Sequence, residues 1–539
     1  MSKLKYIFIS GGVISGIGKG ITSASIAYLL QSSGYKIAPI KFEGYLNIDA
    51  GTINPIEHGD PFLCEDGTET DMDIGTYEKF LNRSMNKDNF VTMGQIYRDI
   101  IQKERRFEYN GEDVEAVHIC NEIIERIQKV GRNQHAEIIL IELGGTAGEY
   151  WNVFFYEASR ILALQHPGDV IHIHVSYVPT PQHLGEPKTK PTQLSVRTLN
   201  SLGVQPDFIV ARSSSYIDQR RRDRFAIFCN VRGEDIISNP DCKSVYEVPQ
   251  IFHRQEFDRK IVTKLGLVYK EPELTALKEL ISGIKGVKKI RKEIVIIGKY
   301  FGTGEYRLKD SYAALFDAID HAAWYEGMEI ATKWIDAEEI EHKGVKQIRR
   351  PDGIIIPIGW GIRGAEGMIA AADFARVHKI PYLGLCYGMQ LAVVAFARSV
   401  LGWTDANTTE NAPLTKHPVI HLIPGQENIL KTGSYGGSMR LGGWEASIKK
   451  GTKAWEIYRS TYASERHRHR WEFNNVYADD FETNGLIISA RSVKENLVEM
   501  IELPGSIHPF YIGVQGHPEY KSSPWKPHPV FTAFLRSLT

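Results

Sequence analysis

The chain has 539 residues with 64 basic and 65 acidic side chains, a formal net charge of −1, so no overall charge imbalance draws it to nucleic acid or an anionic membrane, and any anion site must be local. Its length exceeds what one core spans and suggests about three domains, which large α/β domains pull down towards two. Five scattered cysteines (Cys64, Cys120, Cys229, Cys242, Cys386), odd in number and without a C-x-x-C pair, argue against a disulfide framework or structural zinc and for reduced thiols in a cytoplasmic protein.

The N-terminus runs straight into the strand pattern "KYIFIS" with no apolar leader, and no apolar run approaches a membrane span, so neither export nor membrane insertion is expected. Apolar bursts rich in β-branched residues then alternate with helical periodicity: 6–10, 36–42, 137–143, 169–178, 207–213 and "FAIFCNV" at 225–231. Such a series predicts parallel sheets covered on both faces. Around 271–292 the text becomes a charged helical stretch, and a second series comes after it at 293–300, 353–357, 381–386 and 511–519. The expected fold is α/β, two tandem three-layer domains over 1–270 and 293–539, joined by a linker at 271–292.

"ISGGVISGIGKGITSAS" (9–25) is close to a phosphate-binding loop and departs from it twice. Gly12 stands six residues before Gly18, one more than the pattern G-x-x-x-x-G-K-[ST] allows, and Lys19 is followed by Gly20. The context is nevertheless strand, glycine-rich turn, helix, which lets backbone N–H groups face an anion at a helix N-terminus. Lys19 supplies the point charge, and Thr22 offers a hydroxyl in place of the missing one. Lys41 and a run of acids in 41–75, with Glu142 ending the strand "EIILIE", add carboxylates where Mg²⁺ is held beside a triphosphate. "GEPKTKPTQLSV" (185–196) presents Lys188 and Lys190 on a proline-bracketed loop, preset for a second anion.

In the second series, "PYLGLCYGMQ" ends a strand at Cys386 and turns into a helix, the elbow that presents a nucleophile at a helix N-terminus. "GVQGHPEY" places His517 and Glu519 after another strand, a base with its orienting carboxylate. "PIGWGIRG" (357–364) is a glycine-rich loop after a third strand, where the Gly359 N–H is a candidate oxyanion donor beside that of Tyr387.

With "GKGITSAS", "ETDMDIG", "GGTAG", "KTKPTQLSV", "FCNV", "ERHRHRWEFNN" and "HPEYKSSPWKPHP" in order, the C-terminal half resembles a class I glutamine amidotransferase and nearly the whole chain resembles the CTP synthase family. The resemblance implies an N-terminal P-loop-like amidoligase domain and a C-terminal glutaminase. It implies that glutamine acylates Cys386, with His517 as base, Glu519 orienting it, and Gln390, Glu410 and Arg470 holding the amino acid. Ammonia would pass inside the protein to the synthase domain. There ATP, bound by Gly16, Ile17, Gly18, Lys19, Gly20, Ile21 and Arg212, would phosphorylate the uracil O4 of UTP, with Lys41 assisting and Mg²⁺ on Asp73 and Glu142. Ser15, Glu149, Lys188, Lys190, Gln193 and Arg224 would hold the acceptor nucleotide, UTP, or CTP as product inhibitor. GTP as activator, a homotetramer and possible filaments are further implications.

Several positions depart from the family pattern. "KFEGY" puts Glu43-Gly44 where the family has Asp-Pro, and Trp151 replaces a carboxylate that the family uses near the nucleotide's sugar. Arg224 stands for lysine, Gly16 for serine, Thr76 for histidine and Gly516 for phenylalanine; "PIGWG" and "CYGMQ" stand for "PGGFG" and "CLGMQ". The changes gather around the acceptor pocket and leave the triad intact. Beside UTP amination stand two alternatives: a relative aminating another nucleotide or carbonyl, and a nucleotide-binding scaffold or filament subunit without activity.

Overall fold

The computed structural model describes residues 4–286, 290–303, 306–307, 309–433 and 435–538; part of the expected linker, 287–289, lies outside the described residues. By its internal contacts the chain divides into Met1–Ile48 with Thr76–Ile284, and Asp49–Gly75 with Lys285–Thr539.

The first unit is built on strands β1 (Lys5–Gly12), β2 (Ile37–Glu43), β3 (Phe90–Thr92), β4 (Ile138–Leu143), β5 (Val170–Tyr177), β6 (Phe208–Ser213) and β7 (Ile236–Pro240). They form one seven-stranded sheet in the order β3-β2-β4-β1-β5-β6-β7, with every pairing parallel. β4 reads IILIEL and is buried at all six positions, as a strand covered on both faces must be. Helices α1 (Lys19–Ser32), α2 (Lys190–Ser201) and α3 (Gln219–Cys229) come after β1, β5 and β6 in turn.

α3 corrects the sequence reading, which takes "FAIFCNV" for a strand. Asp218 caps it by accepting from the Arg221 amide, Phe225 and Cys229 are buried one turn apart, and Ile227 and Phe228 are exposed. A burial period near four, not two, sends the segment into a helix. The strand expected there is β7, a few residues later.

In the second unit the strands β8 (Ile290–Gly298), β9 (Met328–Asp336), β10 (Gly353–Ile356), β11 (Tyr382–Leu385), β12 (Arg440–Ile448), β13 (Tyr462–His469), β14 (Ile487–Ser492), β15 (Val498–Glu502) and β16 (Tyr511–Val514) make a nine-stranded sheet. Its order is β9-β8-β10-β11-β16-β15-β14-β12-β13. The first five are parallel and the rest antiparallel. Along β8, Ile294 and Ile296 enter one core while Val295 and Ile297 enter the other, so both faces are covered. Helix α4 (Tyr387–Ser399) comes after β11.

Residues 49–75, which the sequence reading leaves inside an N-terminal domain, belong to the second unit. Ion pairs and a ring contact tie them there: Glu65 pairs with Arg466 (3.1 Å) and Lys521 (3.4 Å), Glu69 with Arg468 (2.6 Å), and the buried Phe62 meets the Tyr520 ring edge-on. Arg466, Arg468 and Glu69 are nearly inaccessible, so removing one partner strands a buried charge at a cost of about 3–5 kcal/mol.

A tight helix contact yields a stability prediction. Gly367 lies in the helix Ala365–His378, where alanine ordinarily adds about 1 kcal/mol. Here a Cβ would fall 2.0 Å from the Ala337 carbonyl oxygen, a backbone atom that cannot swing away. Gly367→Ala is expected to destabilise by about 1–3 kcal/mol, read as a lower urea midpoint in intrinsic fluorescence; an unchanged or higher midpoint would contradict the packing.

Candidate active site

Parallel strands bring the loops at their carboxyl ends to one edge, and in the first unit this edge collects the sequence's candidates. The loop after β1 reaches α1 through Gly16 and Gly18 at φ +67° and +91°, conformations that glycine enters at little cost, which accounts for glycine at position 16. Ser15 and Gly16 are exposed, Ile17 and Gly20 buried, Ile21 partly so. Lys19 folds back over Gly11, and its Nζ donates to the Gly145 carbonyl in the loop after β4 (2.5 Å). Thr22 is fully buried, and its hydroxyl, like those of Ser23 and Ser25 in the same helix, has no hydrogen-bond partner among the described residues.

Lys41, buried near the end of β2, lies between two carboxylates, Glu43 at 3.1 Å and Glu142 at 3.5 Å. Tyr77 donates to Glu142 at 2.6 Å. Glu149 accepts from the amide and hydroxyl of Thr146 (2.7 and 2.8 Å), which ties the loop after β4 to itself. Arg212, at the end of β6, pairs with Asp241 at 2.6 Å. Asp73 lies in the second unit, in the first turn of the helix Met72–Leu81, its amide donating to Asp71.

The two most conspicuous departures from the family pattern belong together. A Cβ on residue 44 would lie 2.4 Å from the Asn152 side-chain oxygen and 3.0 Å from the Trp151 Cβ. Gly44 therefore makes the room in which the loop bearing Trp151 sits.

Lys188, Lys190, Gln193 and Arg224 come together along a cleft of about 420 Å³ between α2 and α3. Arg197, Arg220 and Arg221, which the sequence reading missed, line it too, against a single acid, Glu186. The run "QRRRDR" was the available signal. α2 also braces the phosphate loop: the Ser195 hydroxyl bonds His174 (2.8 Å), which bonds Ser10 (2.9 Å). Burial and the nearby Lys19 charge push His174 down to about 4, so it serves as a neutral strut.

In the second unit Cys386 sits between β11 and α4 at φ +51°, ψ −101°, a strained conformation for a side chain with a Cβ. The glycines around it permit the elbow, since a Cβ on Gly388 would fall 2.0 Å from the Ile356 carbonyl oxygen. His517 Nδ1 and Glu519 Oε1 are 2.7 Å apart and wholly buried from solvent or nearly so. Burial, the largest influence, lowers the pKa of His517, but Glu519 and the Cys386 sulfur outweigh it and bring it to about 10. With Nδ1 taken by Glu519, Cys386 is the other side chain that acts on the ring and raises its pKa.

The loop Ile358–Gly361 is gripped from four sides. Lys299 donates to the carbonyls of Trp360 (2.7 Å) and Gly361 (2.5 Å), and the Tyr387 hydroxyl donates to Gly361 (2.8 Å). The Trp360 amide donates to Tyr300 (3.2 Å) and the Gly361 amide to Glu410 (2.8 Å). Burial lowers Lys299 to about 8 and raises Glu410 to about 7. Gly359 admits no side chain, because a Cβ would meet Lys299 at 2.7 Å and Tyr387 at 3.1 Å. Lys299 and Tyr300 come after β8 in "IIGKY", another strand end that the sequence reading did not use.

Gln390 in α4 donates to the Trp471 carbonyl (2.7 Å) and to Gln515 (3.2 Å), whose own amide lies 3.6 Å from the Cys386 sulfur. Arg470 is held by Gln426 (2.6 Å), the Tyr435 carbonyl (2.6 Å) and Ser438 (2.8 Å). Gly516 has no space for phenylalanine: its Cβ would lie 2.7 Å from that of Glu465.

Residues 5–267 match the family model "CTP synthase N-terminus" and residues 307–537 match "Glutamine amidotransferase class-I". A CTP synthase of Caldanaerobacter subterraneus is 43% identical over 537 residues, 99% of this chain and 98% of its own. One of Pyrococcus abyssi is 44% identical over 536 residues, 99% of this chain and 97% of its own. Among solved structures, the glutaminase domain of Trypanosoma brucei CTPS with bound acivicin is 33% identical, with a TM-score of 0.42, covering 46% of this chain and 94% of that one. Two family models in tandem and relatives matched from end to end place this chain in the CTP synthase family.

Proposed function

We propose that the chain converts UTP to CTP at the expense of ATP, with ammonia drawn from glutamine, and that the residues assembled above carry the two half-reactions. The observation that carries the reading is the strained Cys386 elbow with the His517–Glu519 pair behind it. A pre-strained nucleophile with a buried, charge-coupled base is a reactive arrangement and has no stabilising use.

In glutamine hydrolysis the Cys386 sulfur attacks the side-chain amide carbon and His517 takes up the thiol proton. His517 then passes a proton to the departing nitrogen, which leaves as ammonia, and water hydrolyses the thioester. The oxyanion forms between the amides of Gly359 and Tyr387, the second at the N-terminus of α4. Lys299, Tyr300, Tyr387 and Glu410 hold the Gly359 loop in place before the charge appears. Glu410 pairs with the α-ammonium of glutamine, and Gln390 and Arg470 shape the remainder of the subsite.

In the synthase half-reaction the uracil O4 takes the γ-phosphoryl group of ATP, and ammonia attacks C4 and expels phosphate. A carbonyl oxygen is a poor leaving group and phosphate a good one, so the work of the protein is positioning and charge neutralisation. Lys19, the amides of residues 16–21 and the Thr22 hydroxyl receive the ATP phosphates, Arg212 lies towards its base, and Lys41 neutralises the developing charge at O4. Mg²⁺, for which Glu142 and Asp73 are the proposed carboxylates, would screen the triphosphate charge. Lys188, Lys190, Gln193 and Arg224 receive the acceptor's triphosphate, joined by Arg197, Arg220 and Arg221. Ser15 and Glu149 lie on the loops facing the nucleoside. GTP activation, a homotetramer, filament formation and a cytoplasmic setting are carried over from the family; no helix among the described residues is long and apolar enough to cross a membrane.

Cys386→Ala is expected to reduce glutamine-fed CTP formation by at least about 1,000-fold while amination fed by ammonium chloride persists, and undiminished glutamine-fed activity would refute the assignment. Lys190→Ala should raise the KM for UTP about tenfold or more, since charge-assisted bonds to phosphate are worth about 1.5–3 kcal/mol; an unchanged KM would remove Lys190 from the site. Glu410 must be ionised to hold an ammonium, and burial raises it to about 7. The glutamine kcat/KM should therefore fall as pH drops through 7, and Glu410→Gln should abolish that limb, whereas a parent profile flat from pH 6 to 8 would contradict the role.

A further inference from the structure

The glutaminase of class I enzymes is ordinarily assigned to the C-terminal half of such a chain, yet the groups packed behind this triad include residues from far upstream. We infer that Asp60, on the segment 49–75, is a positioning residue of the glutaminase site, fixing His517 through Tyr520 and the Cys386 surroundings through Arg468. This rests on the reading of that site as a glutaminase.

Three contacts carry the inference. The Tyr520 ring stacks on His517 with centroids 5.2 Å apart and planes at 25°. The Tyr520 hydroxyl lies 2.8 Å from Asp60 Oδ2 and 2.9 Å from the Pro61 carbonyl, so its one proton is held between two acceptors of the same segment. Asp60 Oδ1 is 3.7 Å from Arg468 Nη1, and Arg468 Nε donates to Glu69 at 2.6 Å. The Arg468 carbonyl oxygen is 3.9 Å from the Cys386 sulfur, and its guanidinium lies 4.7 Å above the ring of Trp360, the residue after Gly359. One carboxylate thus reaches the base through the Tyr520 ring and also reaches Arg468, a residue whose guanidinium covers Trp360 in the Gly359 loop and whose backbone carbonyl lies beside the nucleophile.

The arrangement is costly, which argues for use. Asp60, Arg468 and Tyr520 are all buried, and burial holds the Asp60 carboxyl above the usual range against the pull of Arg468 and Tyr520. An apolar side chain would fill the space more cheaply but would leave the Tyr520 ring free to tilt. A catalytic base must be held within about 0.5 Å and 10–20° of its productive position, and a ring anchored by a charge-assisted hydrogen bond supplies that restraint.

The test uses the full-length protein with Asp60→Asn, Asp60→Glu and Tyr520→Phe. Glutamine hydrolysis is followed from pH 6 to 10, and ammonium-fed CTP formation is measured in parallel. The groups facing His517 are Glu519, Cys386 and Tyr520, with Asp60, His467 and His469 around them. Asp60→Asn should lower kcat for glutamine hydrolysis about 10–100-fold, the range for residues that orient a catalytic group. It should move the pH profile, leave the glutamine KM within about threefold and spare ammonium-fed synthesis. Asp60→Glu should recover part of the rate, and Tyr520→Phe should reproduce the shifted profile. A kcat within twofold of the parent with an unmoved profile would overturn the inference, as would a parallel fall in both activities, which would mean general loss of structure. A parent protein without glutaminase activity would instead overturn the reading on which the inference rests.

Discussion

A strand in a parallel sheet cannot hand its chain directly to its neighbour, so every crossover returns to the same edge and every loop that leaves a strand does so at the opposite one. This constraint fixes where chemistry can be placed in both units. In the first, the loop after β1 leads to Lys19, the last residues of β2 and β4 carry Lys41 and Glu142, and the loop after β5 leads to Lys188 and Lys190, all at the carboxyl edge. In the second, the loops after β8, β10, β11 and β16 deliver Lys299, Gly359, Cys386 and His517 in the same way. Residues more than 200 positions apart need no dedicated scaffold, because the sheet's polarity already aligns them.

Strain and grip are the complement of that alignment. Cys386 occupies backbone space that disfavours a Cβ, and the structure holds it there with a hydrogen bond from its backbone N–H to the Val514 carbonyl (2.7 Å) and the close approach of Gly388 to Ile356. The loop Ile358–Gly361 is glycine-rich and would wander if left alone. Lys299 is kept at the cost of burying an ammonium because it can hold two successive carbonyls at once, which no apolar residue can do. Tyr387, where the family has leucine, adds a hydroxyl to the same grip and is itself steadied by Asn411 (2.9 Å).

Much of this was legible in the sequence wherever one short stretch carried its own signal. The apolar bursts locate the central parallel strands, and "LCYG" and "GHPE" mark the strand ends that carry Cys386 and the His517–Glu519 pair. The failures have one cause, that burial is decided by partners elsewhere in the chain. "FAIFCNV" has strand composition but a helical burial period, set by which face meets the sheet. The antiparallel strands β12 to β15 mix polar with apolar residues, and "ERHRHR" (465–470), most of it in β13, looks like a surface run. Its arginines and histidines are in fact buried, because Glu65, Glu69 and Glu499 meet them. Nothing in the string 49–75 announces that it belongs with residues some four hundred positions downstream.

The same dependence on distant partners changes the meaning of the departures from the family pattern. Read one at a time, Gly44, Trp151, Gly16, Tyr387 and Gly516 look like erosion of a site. In the folded chain Gly44 clears the space for Trp151 and Asn152, Gly16 relieves a turn at positive φ, Tyr387 braces the oxyanion loop, and Gly516 lies where any Cβ would strike Glu465. A chain losing its function accumulates uncompensated changes at charged and strained positions first, because those cost stability and return nothing once catalysis is gone. Here the costly groups persist: the Cys386 elbow, the buried Lys41 between two carboxylates, the buried Lys299. The departures fall where their neighbours fit them: Trp151 beside Gly44, Glu465 beside Gly516 and the Gly361 carbonyl beside the Tyr387 hydroxyl.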